Sequence, residues 1–175
     1  MSKTRSLSLP EAHAADLGVE PGSPLMEAVK EGREIYSAAI NAPNFSSKQG
    51  SWIFRFAELA DAKEGPHRDG ILSGEAPSRL TAPSATVKYD PRYPPEVIRQ
   101  RVEGMVVLYA IIRQDGTVDP ESVRVVRSLD PRLDQSAREA LVRWKFKPSL
   151  KNGQPVSIRT EISIPFFFRR DGMYR

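Results

Sequence analysis

Few side chains in this sequence are equipped for chemistry. His13 and His67 are the only histidines and cysteine is absent, which excludes disulfides, thiol catalysis and cysteine-based metal sites. Both histidines sit in polar stretches broken by Pro and Gly, and both read as solvated imidazoles. No HExxH, GxSxG or Gly-rich phosphate loop occurs. Asp115, Asp130 and Asp134 fall where turns and helix caps use a carboxylate, not as a pair facing a pocket. The sequence assigns no catalytic, cofactor-binding or metal residue, and the chain reads as a binding protein, not an enzyme.

The stretch that mixes recognition groups most densely is "ALVRWKFKPSLKNGQPVSI", residues 140–158. Aromatics set among cations can stack nucleic-acid bases. Trp144, however, continues a helical stripe of Leu133, Ala137, Ala140 and Leu141. Spacing of that kind turns Trp144 and Phe146 toward a core at a helix end and leaves the lysines on the solvated side. The net charge is +4 and unevenly spread: residues 1–86 carry 9 Lys/Arg against 11 Asp/Glu, and residues 87–175 carry 17 against 11. Arg124, Arg127, Arg159, Arg169 and Arg170 read as a weakly positive soluble face. No nucleic-acid partner is expected.

The elements that position these groups follow from periodicity. Residues 1–24 are polar with Pro and Gly and are expected to be disordered; they begin basic, but no apolar stretch of signal length follows. No run approaches the roughly 18 apolar residues of a membrane span. Residues 25–59 read as a short helix carrying Leu25, Met26 and Val29, then a β-hairpin whose second strand alternates Trp52, Phe54 and Phe56 with Ile53, Arg55 and Ala57. Residues 60–86 read as a linker and 169–175 as a basic tail. Between them, residues 87–168 give helix, strand, strand, helix, strand. "YPPEVIRQRVEG" is a helix with prolines in its first turn, and "MVVLYAIIRQDGTV" opens a hairpin at Asp115-Gly116. A helix capped by Asp130 leads, after Asn152-Gly153, to a half-buried strand over Val156–Ile164. The fold class is α+β: a small antiparallel three-stranded sheet in the order 2-1-3, with two helices on one face.

Taken together, Tyr93-Pro94, Val102-Glu103-Gly104, Asp115-Gly116, Leu133-Asp134, Ala140-Leu141, Arg143 to Pro148 with Trp144 and Phe146, Asn152-Gly153-Gln154-Pro155-Val156 and Pro165-Phe166 resemble the C-terminal domain of the TonB family of energy transducers, over about residues 88–167. The resemblance implies a periplasmic module that takes an extended segment of a TonB-dependent outer-membrane receptor as an added strand. It also implies coupling to an ExbB/ExbD-type inner-membrane proton channel. Transducers of this kind carry a membrane anchor and a proline-rich spacer ahead of the domain; here that place holds the 25–59 segment.

Two expectations concern surfaces. The first strand is apolar on both faces, with Met105, Val107, Tyr109 and Ile111 on the second, so that face needs a cover: residues 25–59, a second copy of the chain, or a partner. A structural or regulatory homodimer using this face is the alternative to receptor binding. In the order 2-1-3 the last strand, Val156, Ser157, Ile158, Arg159, Thr160, Glu161, Ile162, Ser163 and Ile164, pairs on one side only and is the expected partner-binding edge.

Overall fold

The computed structural model describes residues 5–7, 19–31, 33, 35–41, 51–59 and 80–167. In chain order its elements are β1 (Arg5–Leu7), α1 (Leu25–Lys30), β2 (Ile35–Asn41), β3 (Ser51–Glu58), β4 (Ser84–Val87), α2 (Pro95–Arg99), β5 (Gly104–Ile112), a 3-10 turn at Pro120–Ser122, β6 (Arg124–Arg127), α3 (Pro131–Val142), β7 (Lys145–Lys147), β8 (Ser149–Lys151), β9 (Gln154–Val156) and β10 (Ile158–Phe166). One antiparallel sheet runs β1-β2-β3-β10-β5-β6, and β4-β7 and β8-β9 form separate two-stranded ribbons.

The main core lies between this sheet and α2 and α3. Helix α3 forms because Asp130 caps it, accepting from the Arg132 N–H at 2.9 Å, with Pro131 at the first helical position, where its missing N–H costs nothing. The Asp134 carboxylate accepts from the Leu129 N–H and the Ser128 hydroxyl, which fixes the chain entering the helix. Leu133, Ala137, Ala140 and Leu141 are buried, and Trp144, just past the helix end, is fully buried. Each such Leu contributes about 1.5–3 kcal/mol by burial. From the sheet, Val106, Leu108, Ala110, Ile112, Ile158, Ile162 and Ile164 complete this layer.

The second face is covered by α1. Val19, Leu25, Ala28, Ile35, Ala57 and Tyr109 form a second buried cluster, with Met26, Ile111 and Val126 packed on it. Residues 25–59 cover part of this face, Tyr109 and Ile111, while Met105 stays 43% exposed, and they do so by a different arrangement from the one expected. Only α1 lies across the face, while β2 and β3 add strands to the sheet. Phe54 and Phe56 are therefore buried in the α2/α3 layer, with Phe54 6.3 Å from Phe146 and Phe56 stacked on Tyr36 at 5.4 Å.

Other boundaries also differ from the sequence expectation. Within the first 24 residues Arg5–Leu7 pairs with β2, and Val19 and Ser23 are buried. The expected linker ends early, since Leu80 bridges to Lys151 and β4 pairs with β7. Val156 belongs to β9, opposite Ser149, and the last strand begins at Ile158. Residues 60–79 and 168–175 lie outside the described residues.

Candidate partner-binding edge

Strand β10 is the centre of the expected site, and its two long sides are unequal. Toward β5 it is paired along its whole length, from Ile158↔Ile112 to Phe166↔Gly104. On the other side β3 pairs with it from Ile158↔Glu58 to Ile162↔Phe54. The expectation of an open edge is corrected over this stretch. The reason is that β3 carries aromatics at the same alternation as the isoleucines of β10, so adding it to the sheet extends the buried layer. Nor is β10 half-buried, because Glu20 and the end of α1 cover its other face: Ile158–Ile162 and Ile164–Phe166 are buried, with Ser163 intermediate.

The face of β10 turned toward α1 is ionic. Glu161 is fully buried; its Oε1 accepts from the Glu20 N–H at 3.2 Å and lies 3.6 Å from the Arg55 guanidinium on the neighbouring strand. Its Oε2 has no hydrogen-bond partner among the described residues. Burial pushes this carboxyl up from its ordinary value, opposed by hydrogen bonds from Ser23 and Glu20 and by the charge of Arg55. Arg159 forms a two-pronged pair with Glu31, at 2.8 and 3.3 Å. Glu31 lies 3.4 Å from Arg33, Arg33 3.8 Å from Glu58, and Glu58 2.9 Å from Lys151. This chain of charges ties the end of α1 to β3 and to the ribbon β8-β9. Tyr109 is also raised, chiefly by burial. Thr160, on the apolar side, is satisfied by donating its hydroxyl to the Ala110 carbonyl at 2.9 Å.

Apart from Pro165 and Phe166, which end β10, the motif residues lie off this edge and position it. The Tyr93 hydroxyl donates to the Val102 carbonyl, and its ring meets Phe166 edge-on at 5.5 Å, holding the far end of β10. Pro94 is the N-cap of α2. Asp115 accepts from the Thr117 N–H and hydroxyl, which also holds its carboxyl below the ordinary value, and Gly116 follows at φ +82°. A Cβ at Gly116 would stand 1.8 Å from the Phe146 carbonyl oxygen, so only glycine lets the Phe146 N–H reach the Gly116 carbonyl at 2.9 Å. Gly104 sits close against Leu129. Trp144 donates its Nε1–H to the Tyr89 carbonyl at 2.9 Å, so its one polar atom is satisfied inside the core. Pro148 separates β7 from β8, and Asn152 and Gly153, both at positive φ, turn the chain from β8 into β9.

Sequence reasoning did not find β3 as the neighbour of β10, nor Glu161 as a buried group. The signal was present as complementarity: Phe54-Arg55-Phe56 offers apolar, basic, apolar against Thr160-Glu161-Ile162, and Arg55 falls opposite Glu161.

Helix and strand content, the sheet order β6-β5-β10 and helices packed on one face define a small α+β domain. Residues 89–168 match the family described as Gram-negative bacterial TonB protein C-terminal, and this part of the chain is a TonB C-terminal domain. Protein TonB of Xanthomonas campestris pv. campestris is 36% identical over 77 residues, 43% of this chain and 34% of that protein. Protein TonB of Vibrio cholerae serotype O1 is 33% identical over 87 residues, 50% of this chain and 34% of that protein. The chain thus spans about a third of the length of these relatives. The solution structure of the Pseudomonas aeruginosa TonB C-terminal domain overlaps 53% of this chain and 90% of its own, at 27% identity and a TM-score of 0.39. No helix among the described residues is long and apolar enough to cross a membrane.

Proposed function

We propose that this chain is a non-enzymatic, periplasmic binding module that receives an extended segment of a TonB-dependent outer-membrane receptor as a strand on β10, and passes on force from an ExbB/ExbD-type proton channel of the inner membrane. The observation that carries this reading is β3. A strand from outside the TonB-type domain is added to β10 in antiparallel register over Ile158–Ile162, so this side of β10 has the geometry to accept one. The alternative, a homodimer through the second face, has less surface to use, because α1 packs over Tyr109 and Ile111 there.

A lone peptide of five to seven residues adds roughly four backbone hydrogen bonds at about 0.5–1.5 kcal/mol each, and the cost of ordering it cancels much of that. Affinity is therefore expected to be weak. The test is an NMR titration of the labelled chain with a receptor segment and with the same segment N-methylated at alternate residues. Amide shifts are expected in Ile158–Phe166, with one methylation phase abolishing them and the other tolerated. Shifts centred on β6, or equal binding by both methylated peptides, overturn the reading.

A further inference from the structure

We propose that β3 is an internal ligand of this domain: it fills the strand-addition side of β10 in cis, and a partner strand is admitted only where β3 gives way. The inference rests on the reading of β10 as the receiving strand and adds what controls it and what chemistry it selects.

Three observations support it. The first is origin: β3 lies outside residues 89–168, so the TonB-type domain leaves this side of β10 to another strand. The second is partial coverage. β10 is paired with β5 through Phe166 but with β3 only through Ile162. The Leu59 N–H donates to the Ser157 carbonyl at 3.1 Å, and in an antiparallel ladder alternate residues turn to the same neighbour. Arg159, Glu161, Ser163 and Pro165 therefore turn their backbone groups to this side, and the last two lie beyond the final β3 pair. Pro165 has no N–H to offer there, which limits casual pairing while leaving Ser163 as a place to begin. An incoming strand can start at that end and replace β3 pair by pair.

The third is the chemistry of the hold. Phe54 and Phe56 enter the apolar layer, and Arg55 between them turns to Glu161 on the opposite face. A competitor must reproduce this with two apolar side chains at alternate positions and a cation between them. At 3.6 Å Arg55 is a loose partner, and Glu161 Oε2 has no hydrogen bond among the described residues. A partner's cation seated closer would gain what Arg55 leaves unused.

The experiment uses the capped peptide SWIFRFAE, the sequence of β3, titrated into the labelled 175-residue chain. The wild type is expected to bind it weakly, with shifts in Ile158–Ile162. Phe56→Ala weakens the internal strand, and since apparent affinity scales with the fraction of open sites, binding should tighten about tenfold. A Glu58→Cys/Ile158→Cys pair, at a position where the strands face each other without hydrogen bonds, locks β3 in place; the chain has no native cysteine to interfere. The oxidised protein should lose binding and the reduced protein should recover it. A peptide bearing Arg55→Glu should bind about tenfold more weakly. Equal binding by the oxidised and reduced forms, or no gain in Phe56→Ala, overturns the proposal. Should Phe56→Ala fail to fold, Phe56→Leu replaces it and the locked pair still decides. If SWIFRFAE binds where a receptor segment does not, only the receptor reading falls. If a receptor segment binds the locked chain as well as the reduced one, only this inference does.

Discussion

On one face of β10, Ile158, Ile162 and Ile164 belong to a layer with Trp144, Phe146, Phe54 and Phe56; on the other, Arg159 and Glu161 meet Glu31, Arg55 and the backbone of Glu20. The first layer gains free energy in proportion to area and tolerates changes of partner so long as volume is kept. The second depends on geometry and is worth little until each charge has its counterpart. The layers also differ in origin. The aromatic layer is built mainly from the TonB-type domain, whereas the ionic one joins that domain to residues 20–58. Folding of the domain therefore rests mainly on the apolar side, while attachment of residues 20–58 draws on both, through Phe54 and Phe56 on one and Arg55, Glu31 and Glu20 on the other.

The largest effect belongs to the apolar side. Trp144 is fully buried, packs 6.1 Å from Phe146 and donates to Tyr89, so Trp144→Ala both empties a large site and leaves that carbonyl without its donor. Denaturant unfolding should show a loss of about 3–5 kcal/mol. A loss below about 1 kcal/mol with binding abolished would mean that the indole is a ligand platform.

On the ionic side, Arg159→Met keeps most of the buried stem and removes the pair with Glu31, whose side chain is 43% exposed. With one partner so solvated, the expected loss is at most about 1 kcal/mol. The change should appear mainly as faster amide exchange in α1, with β5 and α3 unaffected. Loss of protection throughout the sheet would show the two layers to be one cooperative unit and break the comparison.

The sequence carried the apolar layer better than the ionic one for a physical reason. Helical and strand periodicities report which residues turn inward, so Leu133 to Trp144 and the run from Met105 to Ile112 are legible in the sequence. Glycine and aspartate marked the turns at Asp115-Gly116 and Asn152-Gly153 because positive φ and side-chain capping restrict residue choice there. Non-local pairing leaves no such periodic trace. Nothing within β10 itself states that β3 will lie beside it, and Glu161 reads as a solvent-facing residue until α1 and Glu20 cover it. The same gap explains the open edge expected for β10: a count of three covers only what the domain adds to the main sheet, β6, β5 and β10, and was silent about the ribbons β4-β7 and β8-β9 and about a strand arriving from outside.

The smallest effect, and the one that most sharpens the difference between the layers, is at Glu161. Burial raises its pKa in the folded state above the unfolded value, with Ser23, the Glu20 N–H and Arg55 pulling it back down. The folded state thus holds this proton more tightly than the unfolded chain does. Ionised Glu161 therefore costs stability above its folded pKa, and the cost is relieved as pH falls toward the ordinary carboxylate value. Asp115 and Asp130, both lowered by hydrogen bonds, run the other way: they contribute stability above the ordinary carboxylate value and lose it only as pH falls through their folded values. The two windows are separable. Glu161→Gln keeps an oxygen for the Glu20 N–H and removes the charge, so it should be more stable than the wild type at neutral pH by less than about 1 kcal/mol. Its advantage should shrink as the solution is acidified toward the carboxylate range, while the common acid loss from the aspartates remains in both proteins. Paired urea titrations across that range read the difference directly. An advantage that grows on acidification, or a Gln variant that is less stable at neutral pH, would mean that Arg55 and the Ser23 and Glu20 hydrogen bonds outweigh burial, and that the ionic layer holds residues 20–58 by attraction instead of tolerating a buried charge.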